Sequence, residues 1–302
     1  MNIKNKEKIS EFSLIIVTII WGSGFIATEA VIQANWSTSL IMVSRFIIAT
    51  IMIAIISNKK LLSISKQELL YGLVAGVFLF LGFYTQTLGQ TTTNVSNVAF
   101  LTSINVIMIP FISWAISKKR PNLQTIFLTI LTLVGVGVLS YDGEAFSLGR
   151  GDILVLLAAF FFASQIAYLE KATYDTDPIR INFIQILTAT ILSVVSFIFS
   201  GQEIQGANIQ KGILPILYLG IFSTCICFFL QTRAQKHVSA AKVGIILSLE
   251  GVFGGLFSVI LGLEPFTINL LIGGGLIVLA SILSNLDLSR NKDYEETAEN
   301  FT

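Results

Sequence analysis

Two residues able to do chemistry lie where a charge is out of place. Arg45 interrupts the apolar run Leu40–Ile56, and Glu250 stands near the middle of a second one. An ionisable group near a bilayer centre costs roughly 2.5–3.5 kcal/mol on insertion scales, so it faces a protein interior or a water-filled path. Two unlike charges in such surroundings point to a polar cavity inside a membrane domain. Arg45 lies about seven residues, ~10 Å at 1.5 Å per residue, from the outer end of the helix expected over Thr38–Ser57, and Glu29 lies near the outer end of the preceding one. An ion pair between Glu29 and Arg45 is therefore expected on the outer side of the cavity. The competing reading is an Arg45 that snorkels to the headgroups and only anchors its helix. Glu250, near the midplane, is the candidate for proton coupling or for pairing with a cationic solute group. It could equally be a structural carboxylate bonded to nearby serine or backbone groups around Gly251.

Uncharged groups at membrane depth add to the list. Trp21, Tyr84, Asn97, Asn105, Gln165, Tyr168 and Gln185 are candidates to line a solute pathway. Asn97 and Asn105 are eight apart and share one face of a helix. Amides there could orient a carboxylate, amine or hydroxyl. They could also be interhelical glue, worth about 0.6 kcal/mol per bond. Cys225 and Cys227, two apart on one helix, point to different faces and cannot form a bridge. His237, the single histidine, falls in a basic turn. No ligand set for a metal and no phosphate-cradling glycine motif with lysine is present, so no metal and no cofactor are expected.

Something must hold these groups at depth, and the composition says what. Hydrophobic residues make up 54% of the 302 and charged ones 12%, against about 25% charged in soluble domains. Ten apolar runs recur: Phe12–Val31, Thr38–Ser57, Leu69–Leu88, Val95–Ser117, Leu123–Tyr141, Ile153–Leu169, Ile181–Ser200, Gly212–Gln231, Ala241–Leu263 and Phe266–Leu286. Each is near the ~20 residues that cross ~30 Å of hydrocarbon as a helix. Helices are expected because backbone amides in lipid must be satisfied within the segment. Sixteen of the 19 basic residues fall before the first run, after the last, or in alternate connections, counting Lys242 at the very start of the ninth run; the other connections hold only Arg150 and Lys211. The positive-inside rule then puts both termini in the cytoplasm. The first run has a basic start but no small-residue cleavage site after it, so it is read as a retained helix.

A weak internal repeat runs through the pattern. Trp21-Gly22-Ser23-Gly24-Phe25 with a later Glu29 is echoed, 141 residues on, by Phe162-Ala163-Ser164-Gln165-Ile166 with Glu170. Pro121 and Pro265 close the fourth and ninth runs at an offset of 144. Two five-helix units result, and an odd number of crossings forces the second to insert upside down. The expected division is a cytoplasmic N-terminus (1–11), a first repeat (12–141), an extracytoplasmic loop (142–151), a second repeat (152–287) and a cytoplasmic disordered tail (288–302). Gly72-xxx-Gly76, Gly251-xxx-Gly255, Gly135 with Gly137, and Gly273-Gly274-Gly275 are expected to let helix backbones approach closely.

These residues resemble the EamA-type family of the drug/metabolite transporter superfamily over about residues 10–287. Four stretches carry the likeness: WGSGF at Trp21–Phe25, GFYTQTLGQTTTNVSNVAFLTSINVIMIP at Gly82–Pro110, GDILVLLAAFFFA at Gly151–Ala163, and LYLGIFSTCICFFLQTRAQKHVSAAKVGIILSLEGVF at Leu217–Phe253. The chain departs from the pattern in three places. Gly251 follows Glu250 where the family usually has Pro, Glu29 stands where many relatives carry Lys, and Lys118-Lys119-Arg120 replaces a common Gly-Glu. The resemblance implies an all-α membrane protein of ten transmembrane helices, built as two inverted repeats, that moves small metabolites, often outward, across a bacterial-type inner membrane.

The expected function is a secondary, non-ATP transporter of small organic metabolites such as amino acids or related amphipathic compounds. It would work by alternating access around a central cavity, as an exporter rather than an importer. The alternatives are a channel, a receptor and an intramembrane enzyme. A channel would show a ring or filter of polar groups, and a receptor a soluble output domain. An enzyme would need a nucleophile with its base or paired aspartates at depth, and no Asp falls within the ten runs. The expected partners are a small-molecule metabolite and membrane lipids, with the chain a monomer or a homodimer. A net charge of +1 gives no reason to expect nucleic acid.

Overall fold

Apolar runs bounded by capping signals set the helices. Ser65 and Glu68 form a capping box: the Ser65 hydroxyl accepts from the Glu68 amide, and the Glu68 carboxylate accepts from the Ser65 amide. Asp177 caps the helix that opens with Pro178. The computed structural model of this chain describes residues 3–57, 61, 63–93, 95–139, 141, 149–201, 206–262 and 265–284. Most of the expected connecting loop (142–148) and the whole expected tail (288–302) lie outside the described residues.

The described residues contain helices and no strands. In order they are α1 (Ile3–Gln33), α2 (Thr38–Ser57), α3 (Lys66–Gln90), α4 (Val95–Ser103), α5 (Asn105–Ser117), α6 (Leu123–Leu139), α7 (Arg150–Tyr174) and α8 (Pro178–Phe199). Then come α9 (Ile209–Tyr218), a π-helical segment (Leu219–Ile226), α10 (Cys227–Ala234), α11 (Ala240–Leu247), α12 (Leu249–Ile260) and α13 (Ile268–Leu283). Eight helical stretches are long and apolar enough to cross a membrane, and α6 and α13 are shorter apolar helices. Outward faces suit lipid. On α2, Ile47, Ile51 and Ile55 are exposed at four-residue spacing while Phe46, Ala49 and Ile53 are buried.

Three stretches expected to be continuous are interrupted, and the interruptions share a cause. Ser103 bonds back to the Ala99 carbonyl at 2.9 Å just before the α4/α5 break at Ile104. Ser248, at the α11/α12 break, bonds back to Gly244 at 2.9 Å. A serine that competes for the i−4 carbonyl bends its helix. In the third stretch, Thr224 bonds to the Leu219 carbonyl five residues back at 2.8 Å and sustains the wider π turn.

Most close helix pairs join the first part of the chain to the second: α3 packs on α7 and α8, α1 on α12 and α10, and α2 on α8 and the π segment. Small residues allow it. A Cβ on Gly76 would come within 2.5 Å of Thr188, and one on Gly72 within 2.4 Å of Ile184. Gly135 and Gly273 let α6 meet α13, with each glycine's added Cβ running into the other's carbonyl. The expected pair on α12 is corrected in one member only, since a Cβ on Gly255 would come within 2.7 Å of Leu270 of α13. A Cβ on Gly251 would meet nothing within 4 Å, while Gly254 sits against Gly22 of α1. Gly137 and Gly275 likewise face open space. Gly76→Val is expected to push α3 off α8 and to cost stability by about 1–3 kcal/mol. Gly137→Ala should be neutral or stabilising by up to about 1 kcal/mol through helix propensity. Thermal unfolding in detergent compares the two; equal behaviour would refute the packing assignment.

Candidate functional site

A small inner chamber lies where α1, α2, α7, the π segment and the two helix breaks meet. Its volume is about 60 Å³, room for roughly five waters. Trp21, Arg45, Asn105, Gln165 and Glu250 all border it. Of the sequence candidates these five converge. A wider vestibule of about 900 Å³ opens beyond Phe25, which lines both spaces. It is walled by the ends of α1 and α3 (Glu29, Gln33, Gln90) and by Asn97, Gly251 and Thr267.

Arg45 is 2% exposed, yet among the described residues only one of its guanidinium nitrogens has a hydrogen-bond partner. Nε donates to Thr224 Oγ1 at 3.1 Å, and Nη2 has none. The guanidinium lies over the Phe83 ring at 4.0 Å, a cation–π contact. Glu250 is 7% exposed and accepts no hydrogen bond from a described residue. Its place beside the Ser248 break puts it in the first turn of α12. Trp21 Nε1 donates to the Ser223 carbonyl at 2.8 Å, and its ring tilts against Phe228 at 5.3 Å. Consecutive residues of the π segment thus hold the two principal side chains of α1 and α2.

The expected Glu29–Arg45 ion pair is not formed. Arg45 turns inward to Thr224 and Phe83, whereas Glu29 accepts from Gln33 at 3.1 Å and from Gln90 at 3.4 Å on the vestibule side. Similar depth along two helices did not bring the side chains to one face. Nor does Arg45 snorkel. Four other candidates stand away from the chamber. Gln185 is fully buried and joins an amide network: it donates to Asn182 at 2.8 Å and Thr232 at 2.9 Å and accepts from Gln165 at 3.1 Å. Tyr168 packs edge-on to Tyr71, Tyr84 lies against Phe80, and Asn97 lines the vestibule.

Several wall residues were missed. Gln231 donates to Gln165 and to Gln235 and leaves its Oε1 unpartnered. Phe83, Phe162 and Phe228 form an aromatic cluster with ring centroids 5.0 and 5.7 Å apart. The signal for Gln231 was its place in the sequence Phe228-Phe229-Leu230-Gln231, a glutamine ending an apolar run. The phenylalanines carried none, being three of 23.

The end of the molecule opposite the vestibule is tied shut by polar groups. Lys242 of α11 pairs with both Glu7 and Glu11 of α1. Arg180 pairs with Glu68 at 3.2 Å and donates to Ser63 at 2.7 Å. The Glu170 carboxylate accepts from Ser113 of α5 at 2.6 Å and from the Ala240 amide of α11 at 3.1 Å. His237 is half-buried there. Burial first, then Lys6, Lys236 and Arg233, hold its imidazole below the ordinary histidine value.

The profile of the EamA-like transporter family matches residues 8–141 and again 149–286. A protein of Archaeoglobus fulgidus described as an uncharacterised transporter is 31% identical, over 93% of this chain and 87% of its own. The biotin transporter of Escherichia coli is 24% identical over 89% of this chain and 90% of its own. A solved crystal structure superposes with a TM-score of 0.77 at 15% identity, covering 94% of this chain and 98% of its own, which speaks to the fold alone.

Proposed function

Because this chain belongs to the EamA-like transporter family and is a multi-pass membrane transporter, we propose that it is a secondary transporter of small organic metabolites, such as amino acids or related amphipathic compounds, whose substrate site is the inner chamber. Ten spans, with the interrupted stretches counted as one each, form two five-helix units of opposite insertion. The two separate family matches support that division, and so does the recurrence of the breaks, Ile104 and Ser248 being 144 residues apart. Both termini are cytoplasmic by the distribution of Lys and Arg, in a bacterial-type plasma membrane. The vestibule then opens outward and the polar ties close the cytoplasmic end.

The observation that carries the reading is an unequal pair of ends. An inner chamber of about 60 Å³ shares Phe25 with a vestibule of about 900 Å³ on one side, and ion pairs join the helices on the other. A channel would be open through both ends at once. Access alternates when the units rock about the chamber, so that the ties release as the vestibule closes. Glu250 is the group placed to carry a coupling proton. Outward transport follows from the family resemblance. The biotin handled by the E. coli relative is a small organic solute of the same broad class.

Membrane-impermeant thiol reagents test the orientation in intact cells. Gln33→Cys, at the vestibule mouth, should be labelled from outside. Lys236→Cys should be labelled only after the membrane is opened. The two native cysteines are buried and should stay silent. The reverse pattern would overturn the assigned topology.

A further inference from the structure

The seam between α7, α8 and α10 is filled by polar side chains. α7 and α8 both pack closely on α3 but only lightly on each other, and α10 touches α7 as lightly. Asn182, Gln185, Gln165, Gln231, Thr232 and Gln235 occupy the space, none of them more than 3% exposed. Their bonds run in one line. Gln231 donates to Gln165, Gln165 to Gln185, and Gln185 to Asn182. Thr232 and Gln235 brace that line, donating to Asn182 at 3.3 Å and to the Ile166 carbonyl at 2.7 Å. The line joins two spaces. Gln165 and Gln231 border the inner chamber. Asn182 stands three residues after Ile179 and Thr232 one before Arg233, and Ile179 and Arg233 wall a pocket of about 590 Å³ at the end opposite the vestibule. Arg180 and Glu68 line that pocket and pair with each other. The line is also incomplete at both ends. Among the described residues Gln231 Oε1, at the chamber end, and Asn182 Nδ2, at the pocket end, have no hydrogen-bond partner, although both residues are fully buried. A buried amide short of a bond is costly, and leucine in these places would fill the seam with nothing unmet. A polar network kept only to hold helices together does so best when every member is satisfied. This one leaves an acceptor and a donor for something that enters.

We infer that the chamber empties to the cytoplasm along this amide line, with Gln231, Gln185 and Asn182 as successive polar contacts for a solute and its water. This rests on the chamber being the substrate site. The route requires α10 to part from α7 and α8, which stay with α3. That motion lies within the second family-matched segment (149–286) and adds to the rocking of the two segments against each other. Amides that bond one another while the seam is shut bond water when it opens. Opening then wets polar groups instead of apolar surface, which is the costly kind to expose. The Arg180–Glu68 pair, on the pocket wall, is the last contact on the way out.

Cysteine labelling from the cytoplasmic side tests the assignment. Inside-out membrane vesicles holding the full-length chain are treated with a membrane-impermeant methanethiosulfonate, a reagent the size of a small metabolite. Thr232→Cys is nearly isosteric, and Gln185→Cys samples the line one step closer to the chamber. Both are expected to be labelled, and at least fivefold faster in the Lys242→Met background, which frees α11, just beyond α10 in the chain, from α1. The native Cys225 and Cys227 are buried and should stay silent, which separates opening of this seam from unfolding. Silence at both introduced cysteines in both backgrounds overturns the inference. So does labelling that stops at Thr232→Cys, or labelling of the native cysteines at the same rate. Interhelical glue predicts silence throughout. Gly251→Cys, in the vestibule and labelled from outside, reports the reading beneath this one. Slower labelling there in the Lys242→Met background with a silent seam would leave alternating access standing and sink the route. A labelled seam with Gly251→Cys unchanged would keep the route and sink the alternation.

Discussion

Arg45→Met is expected to produce a protein that folds as well as the wild type and exchanges solute at least a hundredfold more slowly. The two halves of that result have different causes. The guanidinium is buried, has one protein hydrogen bond, and leaves Nη2 unpartnered. Removing a buried charge that has no ionic partner also removes its desolvation cost, so an apolar side chain of similar volume is expected to be neutral or stabilising. Methionine can occupy the space against Phe46 and Phe83, where a thioether also makes favourable ring contacts. Thr224 keeps its bond to the Leu219 carbonyl, so the π turn survives. The lost exchange follows if the free edge of Arg45 is where the solute docks; a hundredfold corresponds to about 2.7 kcal/mol of lost interaction. Thermal unfolding in detergent and counterflow in liposomes measure the halves separately. A sharply lowered unfolding temperature with exchange intact would mean that Arg45 is a structural residue and the chamber has been misread.

How much of this arrangement could be read from the chain depends on which physical signal each part leaves. Helices were legible because lipid demands long apolar runs, and every expected run falls on a helical stretch. Arg45 and Glu250 were legible because charge at depth is costly, and both border the chamber. The ion pair between Glu29 and Arg45 failed because depth along a helix is a one-dimensional measure. Whether two side chains meet also depends on the direction each takes around its own helix, and that is set by neighbours such as Thr224 and Gln90, distant in sequence. The breaks at Ile104 and Ser248 were not legible for a related reason. Serines in helices often bond back to a carbonyl without breaking anything, and only packing decides where the bend is kept. Glu170 was noticed as part of a repeat, but its role as a tie between α5 and α11 needed three segments to be placed at once.

Those ties lead to the second large effect. Lys242→Met is expected to shift the empty protein away from the outward-open form by roughly fivefold to 150-fold. Lys242 joins α11 to Glu7 and Glu11 of α1, across the seam between the two family-matched segments. The lysine side chain is 10% exposed, Glu11 15% and Glu7 30%. Breaking a fully buried pair by removing one partner costs about 3–5 kcal/mol, while an exposed pair is worth about 0–1 kcal/mol. This pair sits between those limits, and about 1–3 kcal/mol is the coupling that gives the stated shift. Two carboxylates left four residues apart on α1 also repel each other, and water entering the seam relieves that repulsion. A cysteine at Gly251 reports the change, since it lines the vestibule and its side chain would meet nothing within 4 Å. Its labelling from outside should fall at least fivefold in the Lys242→Met background and stay near normal with Lys242→Arg. Converting Glu7 and Glu11 to glutamine alongside Lys242→Met should restore part of the labelling, because the repulsion is gone although the tie is not rebuilt. Unchanged or faster labelling in Lys242→Met would show that the seam is held by α5, α7 and Glu170, and that the lysine does not control the balance between the two faces.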